Sequence, residues 1–125
     1  MTRVLIVDDD PAIRNLLEEI LVDEGYEVLL AADGRTGVEI AKSEQPGLIL
    51  MDLMLPVLDG AAATRELKSD PGTQRIRIIA MSAGANLRQQ ANVLPSDAVM
   101  PKPFDLDALL AEISIQIRHV TITDS

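Results

Sequence analysis

Six side chains with reactive or ion-binding chemistry stand directly after short apolar runs. Asp8, Asp9 and Asp10 follow the first run, Asp52 the third, Ser82 the fourth, and Lys102 the fifth, between Pro101 and Pro103. Carboxylates brought together repel, and each holds its proton more tightly unless a cation sits among them. Oxygen-only clusters of this kind suit Mg2+, which keeps several waters and takes few carboxylates. A lysine supplies a mobile point charge that can reach a carboxylate or an incoming phosphate. A serine hydroxyl adds a hydrogen-bond donor. Together these groups fit one task. An aspartate can attack phosphorus if a metal and a lysine neutralise the charge that builds on the phosphoryl oxygens.

Each residue also has a plainer role. Asp10 precedes Pro11 and reads as a helix cap, and Asp59 reads the same way. A lone Asp8–Asp9 pair is ordinarily a solvated loop, a lone Ser82 a turn residue and a lone Lys102 a surface charge. Placement after separate apolar runs is what sets the group apart.

The elements that must position them alternate. Apolar runs at Arg3–Val7, Glu27–Ala31, Gly47–Met51, Ile76–Met81 and Asp97–Met100 read as strands, several buried on both faces. Between them lie amphipathic stretches. Ile13, Leu16, Leu17, Ile20 and Leu21 fall on one face of a first helix that ends at Gly25. A second starts near Asp33 and carries Val38, Ile40 and Ala41. A third is capped by Asp59, runs through Leu67 and stops before Asp70-Pro71-Gly72. A fourth, over Asn86–Leu94, is short and polar and must lean on packing. In the last, Asp105 caps, Phe104 staples onto Leu109, and Leu106, Leu109, Leu110, Ile113 and Ile117 line the buried side. The pattern predicts an α/β fold: one doubly wound, five-stranded parallel sheet in the flavodoxin-like order 2-1-3-4-5, helices on both faces, the fourth short or irregular. In such a sheet the reactive residues gather at the carboxyl edge, with Asp8, Asp9 and Asp52 converging and Ser82 and Lys102 to one side.

Composition narrows the classes. The chain has 125 residues, suited to one domain, expected over residues 1–119 with a tail at 120–125. A 47% apolar content can supply a core. The absence of cysteine removes disulfides and thiolate metal sites. A net charge of −9 argues against direct nucleic-acid binding. No run approaches the ~18 apolar residues of a membrane span, and the N-terminal run is too short for a signal peptide. The cytoplasm is the expected address.

The stretches Val4–Arg14, Leu48–Gly60, Ile78–Ala83 and Met100–Phe104 resemble the response regulator receiver domains of two-component signalling. The resemblance runs from about Arg3 to Arg118. It implies that Asp52 is the phosphoacceptor, taking its group from a phosphohistidine on a sensor histidine kinase or phosphotransfer protein. It implies that Asp9 binds Mg2+ directly, that Asp8 binds it through water, and that Met54 offers its backbone carbonyl. Lys102 would pair with the phosphoryl group, Ser82 would report it to the far face, and Pro103 would shape its loop, often through a cis bond. Such a domain changes partner binding, and its output partner is not named by the sequence. It is no enzyme beyond promoting its own phosphorylation and dephosphorylation. Two positions depart from the family pattern: Val99 stands where many receivers carry an aromatic ring, and the stretch from Ser82 to Lys102 is short.

Those departures keep open a pseudo-receiver, an interaction module that works without phosphate. An aspartate-nucleophile phosphatase needs a second carboxylate two residues after the nucleophile, and Met54 cannot serve there. Flavin or nucleotide binding lacks its glycine-rich loop.

Overall fold

The computed structural model describes residues 2–83 and 94–124. Strands β1 (Arg3–Val7), β2 (Glu27–Ala31), β3 (Leu48–Asp52), β4 (Arg77–Ser82) and β5 (Ala98–Pro101) form one parallel sheet in the order β2-β1-β3-β4-β5. The last three strands start and end one residue later than the apolar runs suggest. Ile76, for example, still belongs to the preceding turn, donating its N–H to Thr73 O at 3.0 Å.

Alternation along the strands sorts the core into two layers. Val4, Ile6, Leu48, Leu50, Ile79 and Met81 face Leu17 and Leu21 of α1 (Pro11–Asp23) and Leu109 and Ile113 of α4 (Leu106–Asp124). Leu5, Val7, Ile49, Met51 and Ile78 face Val38 and Ala41 of α2 (Gly34–Glu44) and Ala63 and Leu67 of α3 (Gly60–Ser69). The three central strands, β1, β3 and β4, bury both faces, which explains their nearly unbroken apolar runs.

The caps follow the sequence. Asp10, Asp33 and Asp59 accept from the N–H groups of Ala12, Thr36 and Ala62. Gly25, at φ 95, lies just beyond α1. Two apolar positions do not: Leu16 is 49% exposed and Leu106 40% exposed. Helix α1 rests on the sheet along a line through Leu17 and Leu21, leaving the neighbouring Leu16 outside it. Leu106 sits in the first turn of α4, at the end of the helix. The backbone of α4 continues to Asp124, past His119, where the apolar spacing lapses. The expected helix over Asn86–Leu94 falls on residues outside those described, apart from Leu94.

Candidate phosphoacceptor site

Parallel strands aligned in one register put their last residues on one rim. Val7 pairs with Met51, Asp52 with Met81 and Ser82 with Pro101. The next residues along β1 and β5 are Asp8 and Lys102, so Asp8, Asp52, Ser82 and Lys102 share this edge. Asp9 follows in the loop to α1.

The carboxylates of Asp8, Asp9 and Asp52 each place an oxygen within 4.8 Å of the other two. Asp8 is fully buried and Asp52 nearly so, while Asp9 is exposed. The Lys102 ammonium lies 2.8 Å from Asp8 Oδ2 and 3.2 Å from Asp52 Oδ2. The other oxygens of this pair are held by backbone. Asp10 N–H donates to Asp8 Oδ1 at 2.9 Å and Met54 N–H to Asp52 Oδ1 at 3.1 Å. Lys102 N–H donates to Ser82 O at 2.8 Å, and the Lys102–Pro103 peptide is cis, as the family resemblance led one to expect. Ser82 is buried at the end of β4.

Burial pushes the Asp52 carboxyl up. The Met54 N–H and the Lys102 charge pull it down, the Asp8 charge adds to the rise, and the net shift is upward. Burial alone would lower the Lys102 ammonium, but its hydrogen bond to Asp8 and the Asp52 and Asp8 charges outweigh it, so the net shift is also upward.

An all-oxygen donor set with one exposed member suits a hard divalent cation. The carboxylates repel one another, and one lysine does not neutralise them. A cleft lined by Asp9, Leu53, Met54, Leu55, Pro56 and Asp59 opens beside them. Met54, itself 73% exposed, is one of the residues that line this cleft.

Some contributors gave no signal in the sequence. Arg14 on α1 donates to the Asp8 carbonyl at 2.8 Å, steadying the loop that carries the acids. A Cβ on Gly60 would lie 1.9 Å from Asp52 O, so only glycine lets α3 begin against the end of β3. The loop between them holds Val57 at φ 68, with Leu58 N–H bonded to Pro56 O at 2.8 Å. That is the strained form of γ-turn, on a β-branched residue. Val99 packs against Leu53, Ala80 and Leu94.

Known proteins share this pattern. The family model described as the response regulator receiver domain matches residues 4–114. The DNA-binding dual master transcriptional regulator RpaA of Synechocystis sp. is 38% identical over 121 residues, covering 95% of this chain and 50% of that protein. The response regulator MprA of Mycolicibacterium vanbaalenii is 35% identical over 122 residues, covering 98% and 53%. The chain therefore spans about half the length of the curated relatives it matches. Among solved structures, the receiver domain of a sensor histidine kinase from Pseudomonas aeruginosa PAO1, with a magnesium ion coordinated in its active-site cleft, is 34% identical with a TM-score of 0.83, covering 96% of this chain and 98% of that one. A CheY-like receiver domain protein from Methanospirillum hungatei JF-1 is 31% identical with a TM-score of 0.87, covering 98% of each chain.

Proposed function

This chain belongs to the response regulator receiver domain family, and on that premise we propose that it is a phosphorylation-dependent switch whose acceptor is Asp52. The carrying observation is the bridge from Lys102 to both Asp8 and Asp52 beside the acidic cluster. The Asp52 carboxylate forms a bond to phosphorus as the phosphorus–nitrogen bond of a donor phosphohistidine breaks. The nitrogen keeps the bonding pair, and Asp52 becomes an acyl phosphate. Lys102, already 3.2 Å from Asp52, is placed to follow a phosphoryl oxygen on the new group. Asp9, Asp8, Asp52 and the Met54 carbonyl would hold Mg2+, which when bound supplies charge neutralisation for the transferring group. Ser82 would donate its hydroxyl to that group, and its inward movement would carry the change to neighbouring β5.

The donor in this reading is a sensor histidine kinase or a phosphotransfer protein, and the reaction takes place in the cytoplasm. The domain turns over nothing but its own phosphoryl group. Among the described residues no helix is long and apolar enough to cross a membrane. The acidity of the chain leaves nucleic-acid contact to other parts of a longer protein or to a partner. Phosphate acts by population shift, stabilising the arrangement in which Ser82 and Lys102 contact it. One observation favours the pseudo-receiver reading, an interaction module independent of phosphate: Val99 is packed beside Leu53 and Ala80 and has no ring to swing.

Intact-mass measurement with acetyl phosphate and Mg2+ separates the two. The switch takes up one phosphoryl mass, lost in Asp52→Ala. Uptake unchanged in Asp52→Ala would remove the acceptor assignment, and no uptake by the unaltered chain would favour the interaction module.

A further inference from the structure

At the opposite end of β5 from Lys102 lies a second charged cluster. The Asp97 carboxylate accepts from Lys68 at 2.8 Å through Oδ2 and lies 3.3 Å from Arg77 Nη1 through Oδ1. The same Oδ2 accepts the Ile78 N–H at 2.8 Å, and Asp97 N–H donates to Ile78 O at 2.8 Å. Asp97 therefore grips the Ile78 peptide on both sides. Its partners are fixed in turn. Lys68 donates to Ile76 O at 2.7 Å, Arg77 Nε to Gln116 Oε1 at 2.8 Å, and the buried Gln116 to Glu112 at 2.9 Å. One carboxylate thus joins α3, β4, the start of β5 and α4.

The strand it starts is weakly specified. β5 has four residues, lies at the sheet edge and buries only Met100. Pro101 contributes no N–H to a ladder. Register is loosely held where few side chains are buried, and a one-residue slip turns every side chain to the other face. Lys102 follows directly, and its placement between Asp8 and Asp52 needs β5 in its present register.

We infer that Asp97 is a positioning residue for Lys102: clamped on Ile78, Lys68 and Arg77, it sets the register that delivers the ammonium to the acceptor site. The functional half of this inference rests on the phosphoacceptor reading above.

The test compares the full chain with Asp97→Ala, and with Val38→Ala as a control that weakens the core beneath α2, away from the contacts of Asp97. Amide hydrogen exchange at Lys102, whose N–H is bonded to Ser82 O, reads the register without any phosphate. Acetyl phosphate labelling with Mg2+, below the melting temperatures of all three proteins, reads the chemistry. In Asp97→Ala, Lys102 exchange should quicken about tenfold relative to the β3 amides, the factor carried by loss of one charge-assisted hydrogen bond. Labelling should slow with it. Val38→Ala should lower the melting temperature and leave both readouts near those of the unaltered chain. Should Asp97→Ala fail to fold, Asp97→Asn keeps an oxygen for Ile78 and loses the charge, and the same changes should appear, smaller. Lys102 exchange unchanged in whichever variant folds, with only a lower melting temperature, would overturn the inference. If the unaltered chain takes no phosphate, the phosphoacceptor reading fails, while the exchange data still decide whether Asp97 sets the register.

Discussion

Lys102 Nζ lies 2.8 Å from Asp8 Oδ2, a contact between residues 94 positions apart in the chain. Asp8 is fully buried, and the lysine side chain is 15% exposed. The same ammonium reaches Asp52 at 3.2 Å. Without a bound cation, this one positive charge holds down the repulsion between two buried carboxylates.

Lys102→Met should therefore destabilise the fold as well as slow phosphorylation. Removing one partner of a buried pair leaves uncompensated charge, at a cost of about 3 kcal/mol. Urea unfolding at neutral pH measures it. A double-mutant cycle with Asp8→Asn should show the two changes to be strongly non-additive.

Asp52→Asn should abolish labelling and yet stabilise the metal-free protein by about 1 kcal/mol, as relief of a strained functional site commonly does. The sign follows from linkage. The folded carboxyl titrates above the ordinary 3.8, so the folded state holds more protons than the unfolded one between these values, and stability falls as pH rises through that window. Asparagine removes that loss. Thermal melts in chelator are the measurement, and a lower melting temperature for the variant would contradict it.

Mg2+ should raise the melting temperature, because a ligand that binds only the folded state stabilises it, by about 2.7 kcal/mol at a hundred times Kd. Asp9→Ala should shift that titration to higher Mg2+ while changing the chelated protein little, since Asp9 is exposed.

Asp33 gives a pH dependence away from the site. The Thr36 backbone N–H lowers its carboxyl below the ordinary 3.8, partial desolvation opposes this, and the Thr36 hydroxyl and Arg35 N–H lower it further, so the net shift is downward. A depressed folded value contributes stability that is fully present above the unfolded value and lost as pH falls through the folded one. Asp33→Ala should therefore narrow its deficit against the unaltered chain as acid unfolding proceeds below 3.8. Paired melts across that range test it.

Val57→Gly should stabilise the protein by about 1 kcal/mol, because a left-handed backbone costs an L-residue that much and glycine escapes it. Val57 is 83% exposed, so little packing is lost. The loop cannot relax by itself, since Leu58 O rests against Gly34, where a Cβ would come within 1.7 Å. Chemical unfolding of the variant is the measurement.

Some of this was plain in the sequence and some was hidden. The caps at Asp10, Asp33 and Asp59 were legible because capping is decided within a few residues. The gathering of Asp8, Asp52, Ser82 and Lys102 was legible because each ends an apolar run. Leu106, expected on the buried side of its helix, and Leu16, on the apolar face of α1, are both exposed: periodicity marks a stripe, but which residues it buries depends on how the helix lies on the sheet. Nothing in Leu-Pro-Val-Leu announces that Val57 takes a positive φ.

The amino-acid order alone determined the strands to within a residue, the two buried faces of the central ones and the residues standing at their carboxyl ends, because these follow from periodicity and punctuation over short spans. The tertiary structure alone decided that Lys102 bridges Asp8 and Asp52, that Arg14 holds the Asp8 carbonyl and that Asp97 binds Lys68. Such pairings join residues on different elements, and their geometry exists only once strand register and helix packing have brought those elements within a few ångströms.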